Sequence, residues 1–72
     1  MRPVITFTTD FGHADPFVGI MKGVALGIAP STALIDLVHQ IEPQNILQAA
    51  CVLQASYSYF PKKTVYLAVV DP

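Results

Sequence analysis

The sequence predicts an α/β chain that opens a parallel sheet in the order β-α-β-α-β. Three observations lead there. Strand-like and helix-like stretches alternate along all 72 residues, no internal repeat or low-complexity segment interrupts them, and the last strand-like stretch is uncharged throughout. A chain that is 53% apolar and 12% charged is a core-rich mixture rather than a disordered one.

Val4–Thr9 is β-branched and aromatic, bounded by Pro3 before it and Asp10-Phe11-Gly12 after it, and reads as a first strand followed by a turn. From Phe17 the apolar residues Phe17, Met21, Val24 and Ile28 recur at helical spacing until Pro30 ends the helix. Gly19, Gly23 and Gly27 form another stripe of that helix, which predicts close approach to a neighbouring backbone. Ala33–Val38 is a second strand carrying one charge, Asp36, and ending at His39. Asn45 offers a cap for a second helix, in which Ile46, Ala50, Leu53, Tyr57 and Phe60 recur until Pro61. Lys62 and Lys63 make the turn into a third strand over 64–70, whose apolar run predicts burial on both faces.

The net charge of −1, with basic residues only at Arg2, Lys22, Lys62 and Lys63, gives no electrostatic footprint for nucleic acid or anionic lipid. The apolar stretch after Arg2 is too short for a signal peptide, so a cytoplasmic protein is expected. The uncharged stretch 43–61 is broken by Gln44, Asn45, Gln48, Gln54, Ser56 and Ser58 and does not read as membrane-spanning. Cys51 is the single cysteine, which excludes an internal disulfide and reads as a buried, inert thiol within the second helix. A 7.8 kDa chain has a thin core. Residues 1–72 are therefore expected to be a partial domain, completed by a partner or by further chain.

In an open parallel sheet, ligands bind outside the carboxyl ends of the strands. Asp10 follows the first strand, His39 the second and Asp71 the third, so three distant segments are expected to deliver polar groups to one edge. The competing expectation for each is a local role, because carboxylates often cap turns after strands. Asp10-Phe11-Gly12 spells the magnesium triad of protein kinases, but no glycine-rich loop or catalytic loop accompanies it. Neither G-x-G-x-x-G nor a phosphate loop is present. His13 and His39, with Asp10, Asp15 and Asp36, lack the spacing of a metal site, and no metal is expected.

The stretches Thr8-Thr9-Asp10-Phe11-Gly12, Asp15-Pro16-Phe17-Val18-Gly19 and Met21-Lys22-Gly23 together resemble the opening of the S-adenosyl-L-methionine (SAM) hydroxide adenosyltransferases, the SAM hydrolases, which are sisters of the fluorinating and chlorinating enzymes. The resemblance continues through Ile35-Asp36-Leu37-Val38-His39, Ile41-Glu42-Pro43, Ala49-Ala50, Tyr59-Phe60-Pro61 and Val69-Val70-Asp71-Pro72. It implies a Rossmann-like N-terminal domain followed by a C-terminal β-barrel that this chain lacks. It also implies a homotrimer with active sites between the N-terminal domain of one subunit and the C-terminal domain of its neighbour. The implied reaction is displacement of methionine from the 5′ carbon of SAM by water or hydroxide, giving adenosine and L-methionine. No cofactor is implied, because SAM is the substrate.

By the same resemblance, Asp10 matches the carboxylate that holds the ribose diol, a task suited to two oxygens that each accept a hydrogen bond. Asp15 and Phe17 match the lining of the adenosine pocket, and Phe17 also reads as the first core residue of its helix. His39 matches an adenosine contact, and also reads as a strand-end histidine bonded to local backbone. Asp71 matches the aspartate that orients and activates the attacking water. An aspartate alone is a weak base for water, and the arginine and histidine expected to help it lie outside this sequence. Asp71 favours the hydroxide branch over the halogenases, which carry a different residue there. Asn45 stands where many members carry an acidic residue. Two further readings stay open: a halogenase using halide, and a non-catalytic nucleoside-binding module that keeps Asp10. The 72-residue chain by itself is expected to be inactive.

Overall fold

The computed structural model describes residues 2–71. In chain order it contains β1 (Val4–Thr9), α1 (Phe17–Ile28), β2 (Ala33–Val38), α2 (Ile46–Ser56), a 3₁₀ turn (Tyr57–Tyr59) and β3 (Val65–Val69). The strands form one parallel sheet in the order β2-β1-β3. Among the described residues no helix is long and apolar enough to cross a membrane.

β1 is central, and its residues Thr6, Phe7, Thr8 and Thr9 are all at 0% exposure. Successive strand residues point to opposite faces, so burial of this whole run means that both faces of β1 are covered. Thr8 pairs with Ala68, which forms an apolar hollow with Ile46, Ala49, Ala50 and Leu53, so α2 lies on the Thr6/Thr8 face. On the Phe7/Thr9 face, Thr9 meets His39, His39 meets Asp36, and Asp36 pairs with Lys22 of α1. The helices thus take opposite faces. Right-handed crossovers require this when one connection steps from β1 out to β2 and the next returns across β1 to β3.

Both helices are rotated from the stripes that periodicity predicts. Phe17, Val24 and Ile28 are 55%, 59% and 81% exposed, and the less exposed face of α1 runs through Val18, Met21, Lys22 and Ala25. The reason is compositional: α1 is apolar nearly all round, so spacing selects no face, and in the rotation adopted its lone lysine meets Asp36 of β2. The glycine stripe also differs from expectation, since a Cβ at Gly19, Gly23 or Gly27 would meet nothing within 4 Å among the described residues. In α2 the inward face is Ala49, Val52, Leu53 and Ser56, while Ile46 and, just past its end, Tyr57 are exposed. The same rotation leaves Cys51 exposed and not buried as the sequence predicts. Asn45 is the predicted cap, its Oδ1 accepting from the Gln48 amide at 2.8 Å.

The second helix ends earlier than its spacing suggests. After Ser56 the chain tightens into the 3₁₀ turn, and Phe60 adopts an extended conformation (φ −110°, ψ 158°) because it precedes Pro61. β3 is also more open than its apolar run predicts, with Val65 and Leu67 57% and 38% exposed. It lies at the edge and pairs only with β1 among the described residues. The total surface of 4947 Å² accordingly exceeds the roughly 4,400 Å² expected of a compact monomer of this mass.

Candidate active site

The carboxyl ends of the strands converge as their order requires, and hydrogen bonds tie them together. The Asp10 amide donates to the Val69 carbonyl at 3.2 Å, and the Asp71 amide donates to Asp10 Oδ2 at 3.0 Å. On the other side of β1, the Gly12 amide donates to the His39 carbonyl at 2.6 Å, and the Ile41 amide to the Thr9 carbonyl at 3.2 Å. Gly12 has φ +71°, a conformation that glycine adopts at little cost, and this folds the turn after Asp10 back toward β2.

In the order β2-β1-β3 the chain steps from β1 out to β2 and then crosses back to β3, so the strand order reverses between β1 and β3. Ligands of open parallel sheets bind outside the carboxyl ends at such a point. Asp10, partly buried, and Asp71, exposed, follow the two strands that meet there. Among the described residues the Asp71 carboxylate has no hydrogen-bond partner, and the residue is exposed.

Between β1 and β2 the arrangement is closed. His39 is 2% exposed, its Nδ1 lies 2.8 Å from Thr9 Oγ1, and its Nε2 lies 2.8 Å from Asp36 Oδ1. An ionised carboxylate only accepts, so Nε2 carries a proton, and in the neutral ring Nδ1 accepts from the Thr9 hydroxyl. Thr9 Oγ1 in turn accepts from the Phe11 amide at 3.2 Å. Lys22 Nζ reaches Asp36 Oδ2 at 2.6 Å and completes the chain.

Asp36 and His39 meet because of a bulge. Phe7 pairs with Asp36 but Thr8 pairs with Val38, leaving Leu37 as an extra residue. In regular alternation, positions three apart point to opposite faces, and one inserted residue brings them to the same face. Partial burial opposes ionisation of Asp36, but the hydrogen bonds of Lys22 and His39 and the charge of Lys22 outweigh it and hold the carboxyl below its ordinary value.

The structure thus brings Asp10, Asp71 and the His39 backbone to one edge. Both His39 ring nitrogens are engaged by side chains, Thr9 and Asp36, and not by the local backbone that one reading of the sequence expects. Asp15 lies exposed in the segment between β1 and α1, apart from the Asp10–Asp71 contact. Phe17 begins α1, 55% exposed, with its ring 6.1 Å from that of Phe11, so it is a rim residue and not a core one. His13 stacks edge-on against His39 with ring centroids 5.3 Å apart. Among the described residues no group of three or more His, Cys, Asp or Glu side chains is gathered to hold a metal. Sequence reasoning missed Thr9 and Lys22. The lone charge inside an otherwise apolar strand, Asp36, was the signal that a partner had to exist.

A parallel sheet with helices on both faces and carboxylates after two of its strands defines an open α/β domain. The chain belongs to the SAM hydroxide adenosyltransferase N-terminal domain family, which matches residues 5–72. It is 46% identical over its whole length to an (R)-S-adenosyl-L-methionine hydrolase of Thermus thermophilus, and 44% identical to one of Methanocaldococcus jannaschii over 96% of the chain. A fluorinase of Actinopolyspora mzabensis is 31% identical over 99% of the chain. The chain spans 28%, 27% and 24% of the length of these three relatives. The crystal structure of a conserved hypothetical protein from Thermus thermophilus superposes with a TM-score of 0.85 at 47% identity, covering all of this chain and 30% of that one. An uncharacterised conserved protein from Thermotoga maritima superposes with a TM-score of 0.89 at 43% identity, covering 93% of this chain and 26% of that one.

Proposed function

We propose that the protein to which this domain belongs hydrolyses S-adenosyl-L-methionine to adenosine and L-methionine. The observation that carries the reading is the gap between two sets of relatives over nearly the same residues: 43–46% identity to SAM hydrolases against 30–31% to fluorinases. The switch-point carboxylates suit the chemistry. Asp10 accepts hydrogen bonds from the ribose diol, and its other engagement with the Asp71 amide couples that hold to the neighbouring strand end. Asp71 orients a water behind the 5′ carbon and accepts its proton as the C5′–O bond forms. The C5′–S bond breaks with its electron pair passing to sulfur, which leaves as the neutral thioether of methionine. A carboxylate near a sulfonium also favours the cationic ground state, so most of the acceleration comes from holding the nucleophile in line.

Asp15 and Phe17 line the adenosine side of the pocket in this reading. Residues 1–72 form part of a Rossmann-like N-terminal domain, a C-terminal β-barrel follows it, and the neighbouring subunit of a homotrimer completes each site. The protein works in the cytoplasm without metal or cofactor. The test is chromatography of a SAM incubation with the full-length protein, with and without fluoride or chloride. Adenosine and methionine in equal amounts, independent of halide, are expected. A 5′-halo-5′-deoxyadenosine product would assign the protein to the halogenases, and tight adenosine binding without turnover would make it a binding module.

A further inference from the structure

We infer that Lys22, Asp36 and His39 are positioning residues: a chain of hydrogen bonds from α1 through the end of β2 fixes the turn that presents the Asp10 carboxylate to the ligand. The inference rests on the reading of Asp10 as a ligand-binding group.

The residues on both sides of Asp10 are held by His39, directly or through one intermediary. Thr9 Oγ1 meets the ring at 2.8 Å and itself accepts from the Phe11 amide at 3.2 Å. The Gly12 amide donates to the His39 carbonyl at 2.6 Å. Asp10 therefore sits between two anchors, with β3 holding its amide and one carboxylate oxygen and His39 holding its neighbours.

The ring orientation that makes this possible depends on Asp36. A buried imidazole N–H without an acceptor is costly, and its nearest carboxylate is Asp36 Oδ1 at 2.8 Å. Without that acceptor, His39 gains by turning toward another, which withdraws Nδ1 from Thr9. Lys22, at 2.6 Å from the second carboxylate oxygen, holds Asp36 in place. A partly exposed ion pair ordinarily contributes little to stability, so its value here lies in direction. His13, edge-on at 5.3 Å, shields the ring on another side.

The experiment uses the full-length protein with Asp36→Leu, Lys22→Met and Lys22→Arg, and reads amide hydrogen exchange alongside KM and kcat for SAM. In Asp36→Leu, exchange at Phe11 and Gly12 is expected to accelerate at least about tenfold relative to amides within the β1–β2 ladder. KM is expected to rise about tenfold while kcat falls less than about threefold, because the hold on the ribose is loosened more than the attack. Lys22→Met shifts the same quantities by less, and Lys22→Arg restores them. If Asp36→Leu fails to fold, Lys22→Met and its restoration decide the matter. Uniform acceleration of all amides with KM unchanged would reduce the chain of contacts to a stability device and overturn the inference, as would unchanged exchange at Phe11 and Gly12. Absence of turnover in the unaltered protein would instead remove the proposed activity, while the exchange measurement would still decide the positioning role.

Discussion

The two sides of the β1 carboxyl end differ in kind. Toward β2, Thr9, His39, Asp36 and Lys22 satisfy one another and the imidazole is sealed from solvent. Toward β3, the Asp71 amide donates to the Asp10 carboxylate and Asp71 is exposed. The backbone bonds record the contrast. The segments after β1 and β2 are tied across each other by the Gly12–His39 and Ile41–Thr9 bonds, whereas β1 and β3 are joined beyond their ends by the Asp10 amide to the Val69 carbonyl and the Asp71 amide to Asp10 Oδ2. Ionisable residues at strand ends are therefore not equivalent among the described residues: Asp36 and His39 are engaged by each other and by Lys22 and Thr9, while Asp71 is exposed.

That division can be broken most directly at Asp71. Replacing it with Asn in the full-length protein is expected to lower kcat for adenosine release by about a thousandfold, within the usual range for a lost general base, while SAM affinity by calorimetry stays within about threefold. An Asp71→Asn enzyme at near-normal rate would mean that the open side does not carry the chemistry. Asp10→Asn comes next. Weakening charge-assisted bonds to two hydroxyls is expected to cost about 2 kcal/mol, or roughly thirtyfold in adenosine affinity. Unchanged affinity would remove Asp10 from the binding surface.

A smaller effect is expected at Gly12→Ala. No atom lies within 4 Å of the added Cβ, so only the positive φ is penalised, by about 1 kcal/mol. Thermal denaturation reads that cost, and a parallel loss of adenosine affinity would show that the turn transmits strain to Asp10. The smallest effect is the acid response of the closed side. Asp36 has its folded pKa depressed, so its stabilising contribution is full above its ordinary value of 3.8 and is lost as pH falls through the lower folded value. The side chain is 41% exposed and solvent screens the interaction, so the loss is modest. The groups facing it are Lys22 and His39, with His13 beyond the ring. An NMR titration of the Asp36 carboxyl carbon should give a midpoint below 3.8, and a midpoint at or above that value would remove the hold of Lys22 and His39 on the carboxylate.

Much of this was legible in the chain. The bounds of β1, α1 and β2 follow from Pro3, Pro30 and the polar residues at their ends, and the cap at Asn45 follows from its side chain. The convergence of Asp10, His39 and Asp71 follows from parallel topology, which puts all carboxyl ends on one edge. Helix rotation was not legible, because α1 has apolar residues on every side and only the contact between Lys22 and Asp36 distinguishes them. Nor was the openness of β3, since an apolar run shows what a strand tolerates and not what covers it. The pairing of Asp36 with His39 was hidden for a geometric reason: it depends on an extra residue that only the register of β1 against β2 reveals.

That extra residue makes β2 respond differently to losing length and to gaining it. Deleting Leu37 removes the bulge: Val38 then follows Asp36 directly and stays opposite Thr8, and Asp36 and His39, two apart in a regular ladder, keep to one face. Inserting a residue between Asp36 and Val38 instead leaves two residues without a partner or carries His39 to the opposite face, away from Thr9. A length scan between 36 and 38 is thus expected to tolerate the loss of one residue far better than the gain of one.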